Sequence, residues 1–206
     1  MNKVKDIVFS ISLSLMIFTG AIYFTVAFKQ LYYFDIEYLN ISEKTGISSE
    51  EIKLNYDYMV DFNIKNNVEP FKLPTIKSSK EGAIHFEEVR DIFQIVKRTF
   101  YVSSIISIIG SYFYIKDRKF NIFKEVSKLL IIIPIVVAIP LIINFQKSFV
   151  IFHEIMFSND YWIFDPKLDP VINILPEEFF FHGGIIILFI VLLSNIVLYN
   201  LSKITR

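Results

Sequence analysis

Cysteine is absent from this chain of 206 residues, which excludes disulfides, thiolate nucleophiles and zinc–thiolate sites together. The formal net charge is zero, so no bulk basic field favours nucleic acid as a partner. The sequence also has no glycine-rich phosphate loop and no Gly-x-Ser-x-Gly elbow, so it shows neither nucleotide-driven chemistry nor a serine triad. What it does have is apolar residues, at 53% of the chain, and aromatic residues, at 17%.

Four long uncharged runs predict four transmembrane helices and therefore an all-α membrane protein. The middle two runs are near the lower length limit for crossing a bilayer. We expect the first run to be an uncleaved anchor rather than a signal peptide, because it is long for a signal sequence and bulky Phe28 follows it. The runs are Ile7–Phe28, Thr99–Ile115, Leu129–Phe145 and Gly184–Leu201.

The placement of lysine and arginine predicts the orientation of the spans. The segments before the first span, between the second and third, and after the fourth are rich in these residues, which favours a cytoplasmic location. The two remaining segments should lie outside and together form an extracellular cap. The predicted organisation is helix 1 in 1–28 with a cytoplasmic N-terminus, an outer segment in 29–98, helix 2 in 99–115, a cytoplasmic loop in 116–128, helix 3 in 129–145, a second outer segment in 146–183, and helix 4 with a cytoplasmic tail in 184–206.

Local patterns add detail to this organisation. A capping box at Ser48-x-x-Glu51 predicts a helix over Glu50–Ile64. Asp169-Pro170 predicts a helix N-cap followed by proline at the first helical position. Asn144 and Asn195 are polar positions in apolar runs, and we expect them to form hydrogen bonds between helices.

All three histidines, His85, His153 and His182, fall on the predicted outer side. His85 and His153 lie on apolar stripes of helical spacing, where they are either buried core residues bonded to a carbonyl or a proton-transfer pair. His182 is interpreted as an interfacial anchor. A zinc site with an acidic partner is an alternative, although His153-Glu154 is followed by Phe157 where a metalloprotease motif requires histidine.

Two histidines in an aromatic pocket at the bilayer surface suit general acid–base catalysis on a lipid-like substrate. An imidazole, with a pKa of about 6.5, can relay the proton of an α-amine, whose pKa is about 7.7–8.0. If both reacting groups belong to one bound molecule, positioning supplies much of the rate enhancement. Ester-to-amide transfer then needs neither ATP nor an enzyme nucleophile.

Two regions make the chain resemble the lipoprotein intramolecular transacylase family of Gram-positive bacteria. One is His85-Phe86-Glu87-Glu88-Val89. The other starts at Phe152-His153 and continues through Phe157-Ser158-Asn159-Asp160-Tyr161-Trp162 to Leu175-Pro176-Glu177-x-Phe179. The resemblance implies transfer of the sn-2 acyl chain of a diacylglyceryl lipoprotein to the α-amine of its N-terminal cysteine, which gives a lyso-form lipoprotein.

The resemblance also implies a site. Its catalytic residues are His85 and His153, and the candidate substrate-binding residues are Trp162, Asp160, Glu177, Phe152 and Phe157. No metal or other cofactor is expected. The expected partners are a diacylglyceryl lipoprotein and membrane lipid, and the expected location is the bacterial plasma membrane, as a multi-pass protein with its active site at the extracellular face. Two alternatives stay open: a non-enzymatic membrane binding or accessory protein, and a metal-dependent membrane hydrolase.

Overall fold

A computed structural model describes residues 3–66 and 69–204 of the chain. Nine helices and no strand occur within those residues, which confirms the predicted all-α class. The helices are α1 (Lys3–Ala27), α2 (Lys29–Tyr38), α3 (Ile41–Thr45), α4 (Ser49–Ile64), α5 (Lys80–Lys116), α6 (Ile122–Ile143), α7 (Phe145–Met156), α8 (Val171–Ile174) and α9 (Glu177–Ser202).

Four of these helices, α1, α5, α6 and α9, are long and apolar enough to cross a membrane. Each contains most of one predicted span; α1 ends at Ala27, just before the predicted end of the first span, and α6 at Ile143, just before that of the third. The third span ends early because Asn144 has extended backbone and its side chain accepts a hydrogen bond from the Lys147 amide at 2.9 Å. Asn144 therefore caps α7, and its predicted helix–helix hydrogen bond is wrong.

The chain divides into two compact units. The first, called the span unit, comprises Met1–Thr25, Val96–Ile143 and Ile185–Arg206. The second, called the histidine unit, comprises Val26–Ile95 and Asn144–Gly184, and it contains all three histidines. The apolar part of α5 at 99–115 belongs to the span unit, whereas the first turns of α5, including His85, belong to the histidine unit.

Small and polar residues bring the helices of the span unit into close contact. A Cβ at Gly110 would collide with the ring of Phe9, so α1 and α5 pack tightly at this glycine. Asn195 donates a hydrogen bond to the Ser127 carbonyl at 2.6 Å, which joins α9 to α6 and confirms the bond predicted for this residue. Ser107 is fully buried, as a small-residue packing face requires.

The core of the histidine unit is aromatic and is tied together by buried polar groups. Tyr32 of α2 stacks on Tyr56 of α4 with ring centroids 3.9 Å apart, and its hydroxyl donates to the Ile174 carbonyl. The predicted cap at Ser48 is confirmed: its side chain accepts the Glu51 amide at 3.2 Å, and α4 begins at Ser49, next to the predicted start at Glu50.

Asp169 holds the start of α5. Its carboxylate accepts the backbone amide and the hydroxyl of Ser79, each at 2.7 Å, and Ser79 in turn accepts the Gly82 amide at 2.9 Å. A Cβ at Gly82 would collide with the Asp169 carboxylate, so any other residue there would have to displace that carboxylate. The predicted N-cap at Asp169 is wrong: Pro170 occupies the N-cap position of α8, and the buried Asp169 side chain serves α5 instead.

Candidate active site

His85 and His153 come together inside the histidine unit. His85 lies in the second turn of α5 and His153 near the end of α7, and their ring centroids are 6.0 Å apart. His85 is 5% exposed and His153 is 8% exposed. The two imidazoles are therefore neighbours in largely water-excluded surroundings, although they are 68 positions apart in the sequence.

Aromatic rings enclose this pair. Phe157, at the end of α7, contacts both imidazoles, with centroids 4.7 Å from His85 and 5.6 Å from His153. Phe164 packs against His85 at 5.4 Å and Trp162 against His153 at 4.8 Å. The enclosure lowers the local dielectric constant, so each hydrogen bond formed there is strengthened and each unpaired charge becomes costly.

One hydrogen bond sets the tautomer of His153. Its Nδ1 lies 2.7 Å from the carbonyl oxygen of Phe149, one helical turn earlier. Because a carbonyl only accepts, Nδ1 carries the proton and donates it, and Nε2 of the neutral ring keeps its lone pair. His85 differs: its Nδ1 is buried and has no hydrogen-bond partner in the part of the chain that the structure describes.

Burial favours the neutral form of both rings. Burial, together with a smaller contribution from the neighbouring His153, lowers the pKa of His85 to about 4. Burial also lowers the pKa of His153, while the bond to the Phe149 carbonyl opposes this effect. Both imidazoles are therefore neutral at pH 7. In that form each ring has one nitrogen lone pair, which a base needs, and one N–H, which a hydrogen-bond donor needs.

The other residues predicted for the site lie in different surroundings. Phe157 and Trp162 contact the imidazoles as just described, and Phe152 packs edge-on against His153 at 5.4 Å while remaining 52% exposed. Asp160 is exposed and lines a cleft at the start of α5, and Glu177 is exposed at the first position of α9. Neither of these carboxylates hydrogen-bonds to an imidazole within residues 3–66 and 69–204.

His182 belongs to a separate pair. Its Nδ1 is 2.8 Å from Oδ1 of Asp35, a carboxylate of α2 with no exposed surface. Burial raises the pKa of Asp35, and the hydrogen bond from His182 opposes that effect. The interpretation of His182 as an interfacial anchor missed this partner. A sequence signal was available, because Asp35 shares one helical face with the apolar Tyr32 and Ile36.

Three further residues near the imidazoles were missed. Phe149 lies in an apolar stretch and Phe164 between Ile163 and Asp165, and neither position carries a distinguishing signal. Asn159 donates a hydrogen bond at 2.7 Å to Oε1 of Glu88, one helical turn after His85. Among residues 3–66 and 69–204, no group of three or more histidine, aspartate or glutamate side chains is arranged to hold a metal ion.

Known proteins are similar to this chain in sequence and in fold. The profile of the family "Lipoprotein intramolecular transacylase Lit" matches residues 7–180. The structure is similar to that of the membrane-integral lipoprotein intramolecular transacylase Lit from Bacillus cereus, with a TM-score of 0.94 and 39% identity over 98% of this chain and 94% of that one.

Two variants of the Bacillus cereus protein, with the mutations H85R and H85A in its own numbering, match with TM-scores of 0.87 and 38% identity. Both cover 98% of this chain, and 91% and 92% of theirs, respectively. A comparison with curated proteins gives no match.

Proposed function

The chain belongs to the lipoprotein intramolecular transacylase family and is a multi-pass membrane acyltransferase, and from this premise we propose the reaction that it catalyses. The sn-2 acyl chain of a diacylglyceryl lipoprotein is transferred to the α-amine of the lipoprotein's own N-terminal cysteine. Family membership contradicts the alternative of a non-enzymatic binding protein.

One observation carries this proposal: two neutral imidazoles share a water-poor aromatic enclosure and have complementary hydrogen-bonding states. His153 presents a lone pair at Nε2, because its Nδ1–H is committed to the Phe149 carbonyl. His85 has a buried Nδ1 without a partner among the described residues, and a substrate oxygen can supply that partner. A base and a donor therefore flank the space where an ester and an amine would react.

The proposed reaction balances without a cofactor or an enzyme nucleophile. The neutral α-amine attacks the sn-2 carbonyl carbon, and the C–N bond forms as His153 Nε2 accepts a proton from the nitrogen. His85 donates a hydrogen bond to the developing oxyanion, as a neutral imidazole can. The C–O bond to glycerol then breaks, and His153 returns the proton to the departing oxygen. Amine and ester become amide and alcohol, and both histidines end in their starting states.

The other candidate residues divide by exposure. Phe152, Phe157 and Trp162 contact His153, so we assign them to the acyl chains and to exclusion of water. The exposed Asp160 and Glu177 are assigned to the polar part of the lipoprotein, outside the aromatic enclosure.

The proposed site faces outward from the plasma membrane, within a cap made of the two outer segments. The support is the charge distribution: the lysine- and arginine-rich segments at the two ends of the chain and between the second and third spans all fall on one side. The histidine unit comprises Val26–Ile95 and Asn144–Gly184, the segments between the first and second spans and between the third and fourth.

A mass-spectrometric experiment tests this function. The purified chain is incubated with a synthetic lipopeptide whose N-terminal cysteine carries an S-linked diacylglyceryl group, and the product is fragmented. Acyl transfer predicts an unchanged total mass with one acyl chain moved to nitrogen. Loss of an acyl chain would identify a hydrolase instead, and an unchanged substrate would contradict the proposal.

Variants connect the activity to the two histidines. His85→Ala and His153→Ala are each expected to abolish acyl transfer, since each variant lacks one of the two imidazoles that the proposed reaction requires. The matched control is His182→Asn, which keeps an N–H donor for Asp35 and lies outside the proposed site. Full activity in either alanine variant would remove that histidine from the mechanism.

A further inference from the structure

Glu88 has a carboxylate oxygen with no partner next to the proposed site. Asn159 occupies Oε1 at 2.7 Å, but Oε2 is buried and accepts no hydrogen bond within residues 3–66 and 69–204. Nor does any lysine or arginine there form an ion pair with Glu88. An ionised carboxylate only accepts hydrogen bonds, so a buried oxygen without a donor is costly, and such a group requires an explanation.

The position of Glu88 connects it to the two imidazoles. It follows His85 by three residues on α5, and residues three apart lie side by side on one face of a helix. Its partner Asn159 follows Phe157 by two residues, and Phe157 contacts both imidazole rings. Glu88 is therefore one helical turn from His85, and its bond to Asn159 joins it to the segment that carries Phe157.

The proposed substrate carries the complementary group. An α-amine has a pKa of about 7.7–8.0, so at neutral pH most of the lipopeptide arrives as an ammonium ion, which only donates hydrogen bonds. Both imidazoles are neutral in this enclosure, so neither repels that charge nor neutralises Glu88.

We propose that Glu88 binds the α-amino group of the N-terminal cysteine and places it beside His85 and His153. This inference rests on the proposed function. The ammonium ion pairs its charge with Oε2 of Glu88, while Asn159 holds the carboxylate in place through Oε1. After the ammonium ion loses a proton to solvent, the neutral amine still donates an N–H to Oε2. Glu88 is a substrate-binding residue that positions the nucleophile, and it takes no proton in the reaction.

Binding of two unreactive ligands tests this role. Both are lipopeptides in which ether linkages replace the two glycerol esters; one has the free α-amine and the other has hydrogen in its place. Dissociation constants are measured by calorimetry in detergent at pH 6.5 and pH 9. At pH 6.5 the wild-type protein should bind the amine-bearing ligand about 10- to 100-fold more tightly, which is the range of one charge-assisted hydrogen bond. At pH 9 the preference should shrink, because the amine is then neutral.

The variants attribute the preference to a single side chain. Glu88→Gln should bind the two ligands about equally at both pH values, whereas Asp91→Asn, an exposed acid on the same helix, should behave as the wild type does. If the glutamine variant does not fold, Glu88→Asp keeps the charge with a shorter reach and should retain a reduced preference.

The possible failures are distinguishable. A wild-type protein without preference for the amine, or a folded glutamine variant that keeps it, would overturn the role of Glu88. Absence of acyl transfer on the diester lipopeptide would instead refute the proposed function, and the ligand comparison would still decide whether Glu88 recognises an amine.

Discussion

Mild acid should destabilise this protein through protonation of His85. Burial lowers the pKa of His85 from 6.5 to about 4 in the folded chain, whereas the unfolded chain exposes the ring to water. Above pH 6.5 the ring is neutral in both states and adds no pH dependence. As the pH falls from 6.5 to 4, His85 becomes protonated in the unfolded state but stays neutral in the folded state. The free energy of unfolding therefore decreases across that range.

The size of the effect follows from the same shift. Each pKa unit corresponds to about 1.4 kcal/mol, so the loss reaches about 2 kcal/mol at pH 5 and about 3 kcal/mol at pH 4. For a chain of this length, 1 kcal/mol moves the melting temperature by about 2–4 °C. The His85 contribution to the difference in melting temperature between pH 7.5 and pH 5 should therefore be about 4–8 °C.

The assay compares the wild type with His85→Asn by thermal unfolding in detergent at both pH values. The substitution also changes packing, but that effect on stability is the same at each pH. The informative quantity is therefore the difference in melting temperature between the two pH values. The wild type should lose about 4–8 °C more than the variant on acidification. Equal losses in the two proteins would refute the reasoning, because they would mean that the folded chain does not keep His85 neutral.

Other substitutions probe packing around the site and within the span unit. Phe157→Ala should cost about 3–5 kcal/mol of stability and most of the acyl-transfer activity, whereas Phe157→Leu should retain more of both; the measurements are thermal unfolding and the mass-spectrometric assay. Gly82→Ala should destabilise the protein by about 1–3 kcal/mol through overpacking and so lower its melting temperature. Gly184→Ala, whose Cβ meets nothing within 4 Å, should not lower it. Asn195→Leu should cost about 1–2 kcal/mol by breaking the bond to α6, and an unchanged melting temperature would show that this bond is dispensable.

Features that depend on neighbouring residues were predictable from the sequence. The capping box at Ser48 gave the start of α4, because the cap and its partner are three residues apart. The four apolar runs gave the long helices for the same reason, since length and composition are local properties. The stripe that contains His85 continues into the second apolar run, and the structure has one continuous helix, α5, over both.

Features that depend on distant partners were not predictable. Asp169 next to Pro170 has the local pattern of an N-cap, but its buried carboxylate finds two stronger donors on Ser79, 90 residues away. Asn144 differs, because its partner, the Lys147 amide, is only three residues away; its position in an apolar run nevertheless favoured a helix–helix bond over the N-cap that it forms. In both cases tertiary or backbone hydrogen bonds outweighed the pattern on which the prediction relied.

The candidate site was predictable in part. Spacing placed His85 and His153 on apolar faces, and the family resemblance selected them over His182. Their 6.0 Å separation, the bond from His153 to the Phe149 carbonyl, and the open oxygen of Glu88 all arise from contacts between segments far apart in sequence. No local pattern encodes them.

The aromatic enclosure has a consequence for the fidelity of the proposed reaction. An activated ester reacts with whichever nucleophile reaches its carbonyl first, and water at its bulk concentration would outnumber a single tethered amine. With Phe157, Phe164 and Trp162 packed around the imidazoles, the amine of the bound lipoprotein competes against very few water molecules. The rings thereby favour attack by the amine over attack by water. The ratio of amide product to released fatty acid measures how well they exclude water.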